Sequence, residues 1–122
     1  MRYPVSGTAT QEVCPNTSTG ATGVCTLVSI TSGRTFWLRG IRMIASSTSG
    51  NVEVYDATAQ TTATGQTIRM LVPSATSLTS VVPTVYEFAP PGIKFGNNYV
   101  IAKLAASGSI GIGGMNVWGY EE

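Results

Sequence analysis

The sequence contains no histidine at all, only two cysteines, and 11% charged residues. Without histidine the commonest general base is missing. A serine nucleophile would have to rely on Lys94 or Lys103, the two lysines of the chain, for activation. Two cysteines without further ligands fall short of a zinc set, so no metal and no cofactor are expected. Six acidic residues leave a carboxylate pair arithmetically open. Glu53 and Asp56, the nearest central pair, have opposite strand parity and should face apart, and Glu121 and Glu122 read as solvated. No catalytic residue is therefore assigned, and the chain is not expected to be an enzyme.

The low charge excludes more. Net charge is +1, with Lys and Arg dispersed, so the clustered cations of a nucleic-acid binder are lacking. Arg34, Arg39 and Arg42 come closest to a cluster and read as solvated or paired arginines on a strand. Met1-Arg2-Tyr3-Pro4-Val5-Ser6-Gly7 contains no apolar secretory core, and no apolar run approaches membrane-spanning length. A soluble chain made in the cytoplasm, with no membrane partner, is expected. Its place is taken by Ser, Thr, Gly and Ala at a mean hydropathy of +0.18, with 43% hydrophobic residues. A small domain this apolar and charge-poor is expected to cover part of its surface with a partner.

What is present has the texture of β-structure. The 122 residues fit one domain. Residues 1–23 are Thr- and Gly-rich without sustained periodicity and read as an N-terminal arm and loop. Cys14 and Cys25, with ten residues between them, can close a disulfide loop worth about 3 kcal/mol in the chain-entropy model; two reduced thiols fit as well. From residue 24 to 122 short β-type runs alternate with turn signals, among them Thr31-Ser32-Gly33, Ala89-Pro90-Pro91-Gly92 and Gly96-Asn97. No segment carries a capped helical period. The glycine stretch Gly108 to Gly114 lacks the following helix and Lys-Ser/Thr of a phosphate loop, and reads as a bent strand. The fold class expected is an all-β antiparallel sandwich, jelly-roll-like, of about eight strands.

Two strands carry the strongest functional signal. A strand with one solvated face should alternate apolar and polar residues. Strict alternation over Thr35–Ile44 places Phe36, Leu38 and Ile44 on one face and Trp37, Ile41 and Met43 on the other. Asn98–Leu104 sets Val100, Ala102 and Leu104 against Tyr99 and Ile101. Apolar residues on both faces call for cover on both, so Phe36, Trp37, Ile41, Met43, Tyr99, Ile101 and Trp118 are candidate interface residues, with another subunit as the expected cover and the arm or a long loop of the same chain as the alternative. The aromatics Trp37, Trp118, Tyr55, Tyr86, Tyr99 and Tyr120 offer a sugar-stacking platform as the alternative.

The stretch from Trp37 to Tyr120, about two-thirds of the chain, resembles small β-sandwich proteins encoded in tailed-phage structural gene clusters. The resemblance lies in Leu38-Arg39-Gly40-Ile41, Val52-Glu53-Val54-Tyr55-Asp56-Ala57 and Ile68-Arg69-Met70. It continues in Pro91-Gly92-Ile93-Lys94-Phe95 before Tyr99-Val100, and in a glycine-rich last strand ending at Gly119-Tyr120. It implies a capsid decoration (cement) protein or a related head or tail accessory protein, located on the virion at the capsid surface. The partners implied are the major capsid protein and further copies of the chain, trimers being favoured. It carries no catalytic motif, and the arm with its two cysteines lies outside it. A carbohydrate-binding host-adhesion module and a tail or connector component are the alternatives.

Overall fold

The structure, a computed structural model, describes residues 1–9, 24–45, 51–60, 63–73, 84–104 and 110–122. They form nine strands: β1 (Tyr3–Ala9), β2 (Val24–Ser29), β3 (Phe36–Ala45), β4 (Asn51–Ala57), β5 (Thr67–Pro73), β6 (Thr84–Glu87), β7 (Ile93–Phe95), β8 (Tyr99–Leu104) and β9 (Ile110–Glu121). All pairings are antiparallel. One sheet runs β1-β9-β3-β6, with β7 also paired to β3; the other runs β2-β8-β4-β5. The all-β antiparallel sandwich is the architecture that the turn spacing and β-branched runs call for. Among the described residues no helix is long and apolar enough to cross a membrane.

Residues 3–9, read from sequence as part of an extended arm, are instead the edge strand of the first sheet, paired with β9 from Tyr3↔Glu121 to Ala9↔Met115. Their small and polar residues gave no period, because an edge strand against one neighbour needs few apolar anchors. Val5 packs on the core, and Gly7 lets β1 approach β2: a Cβ there would fall within 1.8 Å of the Leu27 carbonyl oxygen. Residues 10–23, including Cys14, lie outside the described residues, and so does the question of a Cys14–Cys25 disulfide. Cys25 is described by its backbone, in register with Ala102.

The core lies between the sheets. Phe36, Leu38, Ile41, Met115 and Val117 from the first sheet meet Leu27, Val28, Val54, Val100 and Ala102 from the second, with Phe95 alongside. The Phe36 and Phe95 rings sit 6.0 Å apart at 51°, a tilted aromatic pair. Each fully buried large side chain contributes about 1.5–3 kcal/mol through removal from water.

Bulges phase the strands into this core. In β3 the register with β9 shifts between Leu38 and Gly40, leaving Arg39 unpaired. The extra residue resets the alternation, so Ile41 joins Phe36 and Leu38 inside, all at 0% exposure. β3 is therefore not apolar on both faces. A second bulge, between Thr26 and Val28 against β8, buries both Leu27 and Val28. A third sets Arg69 of β5 apart, since Val54 pairs with Met70 and Tyr55 with Ile68.

Two carboxylates fasten the ends. Asp56 is buried and accepts the Gly96 and Asn97 amides at 2.9 Å each, with the Arg69 guanidinium at 3.5 Å. Glu121, expected to be solvated, is 3% exposed and accepts the Thr31 amide at 2.9 Å and Arg34 at 3.4 Å. Its place opposite Phe36 in the ladder turns it inward at the end of the core.

Candidate functional site

With the core assigned, each sheet has one face turned outward. On the four-stranded sheet, pairing aligns Thr26, Ile101, Tyr55 and Ile68 in one row across β2, β8, β4 and β5. The neighbouring row holds Val24, Lys103, Glu53 and Leu71, and the row on the other side holds Ser29, Tyr99 and Ala57. Side chains directly opposite each other in a ladder share a face. This face therefore carries apolar side chains in every row, with Thr26 and Ser29 on β2 and with Glu53 and Lys103 opposed in register next to the Tyr55 row.

Its apolar character grows toward the β5 edge. Ile68 is 43% exposed and Leu71 54%. They sit three residues apart, a spacing that a regular strand would send to opposite faces; the Arg69 bulge brings them to one. Among the described residues β5 pairs only with β4 and is the edge strand of its sheet. β6, the corresponding edge of the other sheet, exposes Val85 and Tyr86.

Burial raises the pKa of Tyr55 above its ordinary value, reinforced by its hydrogen bond to Glu53 and by the charge on Glu53. The phenol stays neutral near pH 7 and keeps its proton for Glu53. The charged groups of this face are Glu53, bonded to that phenol, and Lys103, opposite Glu53 in the ladder.

The candidate interface residues divide into four groups. Phe36 and Ile41 lie in the intersheet core and are corrected as interface residues, because the Arg39 bulge turns Ile41 inward and Phe36 packs on Phe95. Ile101 does hold an outward register position beside half-buried Tyr99, as the alternation of β8 requires, but at 0% exposure it is covered within the chain itself. Its in-register neighbours are Thr26 and Tyr55, and the accessible part of the surface lies at Tyr55, Tyr99, Ile68 and Leu71. Met43 is described by its backbone alone, in register with Met115.

Trp37 and Trp118 come together on the outward face of the other sheet, both half-buried. The structure thus unites Trp37 with Trp118 and Tyr99 with Ile101, and puts the two pairs on opposite sides of the sandwich. Ile68 and Leu71 were missed as surface residues; their signal is two apolar residues three apart around an arginine in a β-type run.

The three arginines of the sequence cluster are all engaged. Arg34 binds Glu121 and stacks on Tyr3 at 3.8 Å. Arg39 donates to the Phe88 carbonyl and Arg42 to Asn116 Oδ1.

Comparison of the chain with models of protein families, with curated proteins and with solved structures finds no match.

Proposed function

We propose that this chain is a non-catalytic structural protein that docks on other protein subunits through the outward face of its four-stranded sheet. The observation that carries the proposal is the pair Ile68 and Leu71, exposed together beside Tyr55 on a face of low charge. Exposed apolar groups grouped on one face favour a protein partner over water.

The size of the face says what kind of assembly suits it. Four strands spaced about 4.8 Å apart present an area of about 400 Å². A standard stable interface covers about 800 Å² per partner. A contact of half that area is weak alone and becomes effective when many copies bind one lattice. Decoration of a phage head by packing on the major capsid protein is the specific form we propose, in keeping with the resemblance from Trp37 to Tyr120. Self-association into trimers belongs to the same proposal and rests on the resemblance alone.

The experiment is to count copies of the chain on purified particles by quantitative mass spectrometry. Hundreds of copies per particle would fit lattice decoration; a dozen or fewer would replace it with a tail or connector role; none would overturn the proposal. Leu71→Asp and Ile68→Asp should each reduce particle binding while leaving the melting temperature nearly unchanged, since both side chains are exposed. Binding should survive moderate salt, because the face relies on apolar contacts.

A further inference from the structure

The other outward face, on the five-stranded sheet, has different chemistry. One register row holds Pro4, Tyr120, Trp37 and Lys94, and the next holds Ser6, Trp118, Gly40 and Glu87. Beyond it Asn116 opposes Arg42. Trp37, Tyr120 and Trp118 therefore share one face across β3 and β9, with Tyr120 8% exposed and both indoles half-buried.

Glycine shapes this face. A Cβ on Gly40 would lie 2.1 Å and 2.2 Å from two atoms of the Trp118 ring. The indole thus occupies the space above Gly40, leaning across the neighbouring strand, where strand side chains ordinarily stand upright. Tyr120 is pinned from both ends: its hydroxyl donates to the Pro91 carbonyl at 3.1 Å, and Arg2 stacks on its ring at 4.7 Å. The two half-buried tryptophans thus stand at ladder positions about 8 Å apart by strand spacings.

Polar groups border the rings. Arg42 stands beyond Trp118, where its contact with Asn116 at 3.4 Å engages one guanidinium nitrogen. Lys94 stands beside Trp37 and is exposed. Glu87 lies on the far side of Gly40.

We propose that this face binds an acidic oligosaccharide, with sugar rings stacked on Trp37 and Trp118 and carboxylates met by Arg42 and Lys94. Sugar C–H groups are attracted to the electron-rich face of an indole. Guanidinium and ammonium groups at the two ends complement carboxylates on successive sugars. Two half-buried indoles with a cation at either end offer stacking and charge in one narrow strip, which favours a narrow ligand over a second copy of the chain. The site is independent of the packing face on the other sheet.

The test uses a property of the composition: the chain has two tryptophans, and both lie on this face. Intrinsic tryptophan emission of the full-length protein therefore reports this surface directly. Trigalacturonic acid should give a saturable change in emission, and maltotriose, a neutral counterpart, should bind at least about tenfold more weakly, the loss expected for charge-assisted hydrogen bonds. Arg42→Gln should lower trigalacturonate affinity about tenfold by the same reasoning, and added salt should weaken binding. Trp118→Ala should abolish binding, while Trp118→Phe, which keeps a flat ring, should retain part of it. Circular dichroism of each variant checks the fold, and Arg42→Gln serves if Trp118→Ala does not fold. Absence of a saturable response to trigalacturonate, 3′-sialyllactose and heparin hexasaccharide would overturn the proposal. Equal binding of maltotriose, or unchanged binding by Arg42→Gln, would overturn the acidic recognition. Particle docking, read separately through Leu71→Asp, is untouched by either result.

Discussion

Arg39 and Phe88 are bonded to each other twice. The Phe88 amide donates to the Arg39 carbonyl at 2.9 Å, and the Arg39 Nε–H donates to the Phe88 carbonyl at 2.9 Å. Arg39 is the bulged residue of β3, so this double clamp fixes the irregularity that brings Ile41 onto the face of Phe36 and Leu38.

Arg39→Ala should destabilise the fold by about 1–2 kcal/mol, since it strands the Phe88 carbonyl in a half-buried place. Deletion of Arg39 removes the bulge but keeps the phase, because Gly40 then follows Leu38 directly and Ile41 still alternates onto the face of Phe36 and Leu38. Insertion of one residue between Gly40 and Ile41 should be far worse than either, since it turns Ile41 and the side chains beyond it to the opposite face. Urea unfolding monitored by circular dichroism distinguishes substitution from insertion: a lowered midpoint for Arg39→Ala, no cooperative transition for the insertion. An insertion variant as stable as the parent would show that the register is not fixed at this point.

Glu121 should give a pH-dependent share of the stability. Burial works against its charge, but the hydrogen bonds from Thr31 and the Arg34 guanidinium outweigh burial and hold its pKa below the ordinary value of 4.5. A carboxyl whose folded pKa is lowered stabilises the protein above its unfolded pKa, and that contribution is lost as pH falls through the folded value. The difference in urea midpoint between the parent and Glu121→Gln should therefore be full above about pH 4.5 and shrink below it. At pH 7 the difference should be about 1–2 kcal/mol, moderated because the Arg34 side chain is 34% exposed. A difference that stays constant from pH 7 to pH 3 would exclude the electrostatic account.

Asp56 should matter more for the β7–β8 turn than for its ion pair. Arg69 is 41% exposed, so screening weakens that contact, whereas the two part-buried amide bonds at 2.9 Å are the shorter contacts of a carboxylate that is itself 2% exposed. Asp56→Ala should cost about 2–4 kcal/mol and Asp56→Asn about half as much, because an amide accepts on one oxygen only. Hydrogen exchange should show lost protection at Gly96 and Asn97 in both variants and little change when Arg69 is replaced by alanine. The reverse pattern would make the ion pair the main fastening.

Much of this fold is legible in one dimension. Turn residues at short intervals mark most strand ends, and the β-branched and aromatic runs between them become β2 to β9. Val100 and Ala102 face the core and Tyr99 faces out, as simple alternation in β8 requires. β1 was not legible, because its few apolar residues carry no period and its pairing partner, β9, lies at the other end of the chain. Glu121 was misread for a related reason: the groups that desolvate and bond it, Thr31 and Arg34, are some 90 residues away.

The surface sites depend on the same distinction. Composition and pattern alone give a charge-poor, histidine-free β-protein, because residue types and their period-two pattern are local properties. Which apolar residues reach the surface was decided only in three dimensions. One extra residue in a strand reverses every side chain beyond it, at no cost to local β-propensity, so the bulges at Arg39 and Arg69 leave little trace in sequence. The first takes Ile41 into the core, and the second sets Ile68 beside Leu71 outside it. Trp37 and Trp118, far apart in the chain, share a face because β3 pairs with β9, a long-range contact that no local pattern encodes.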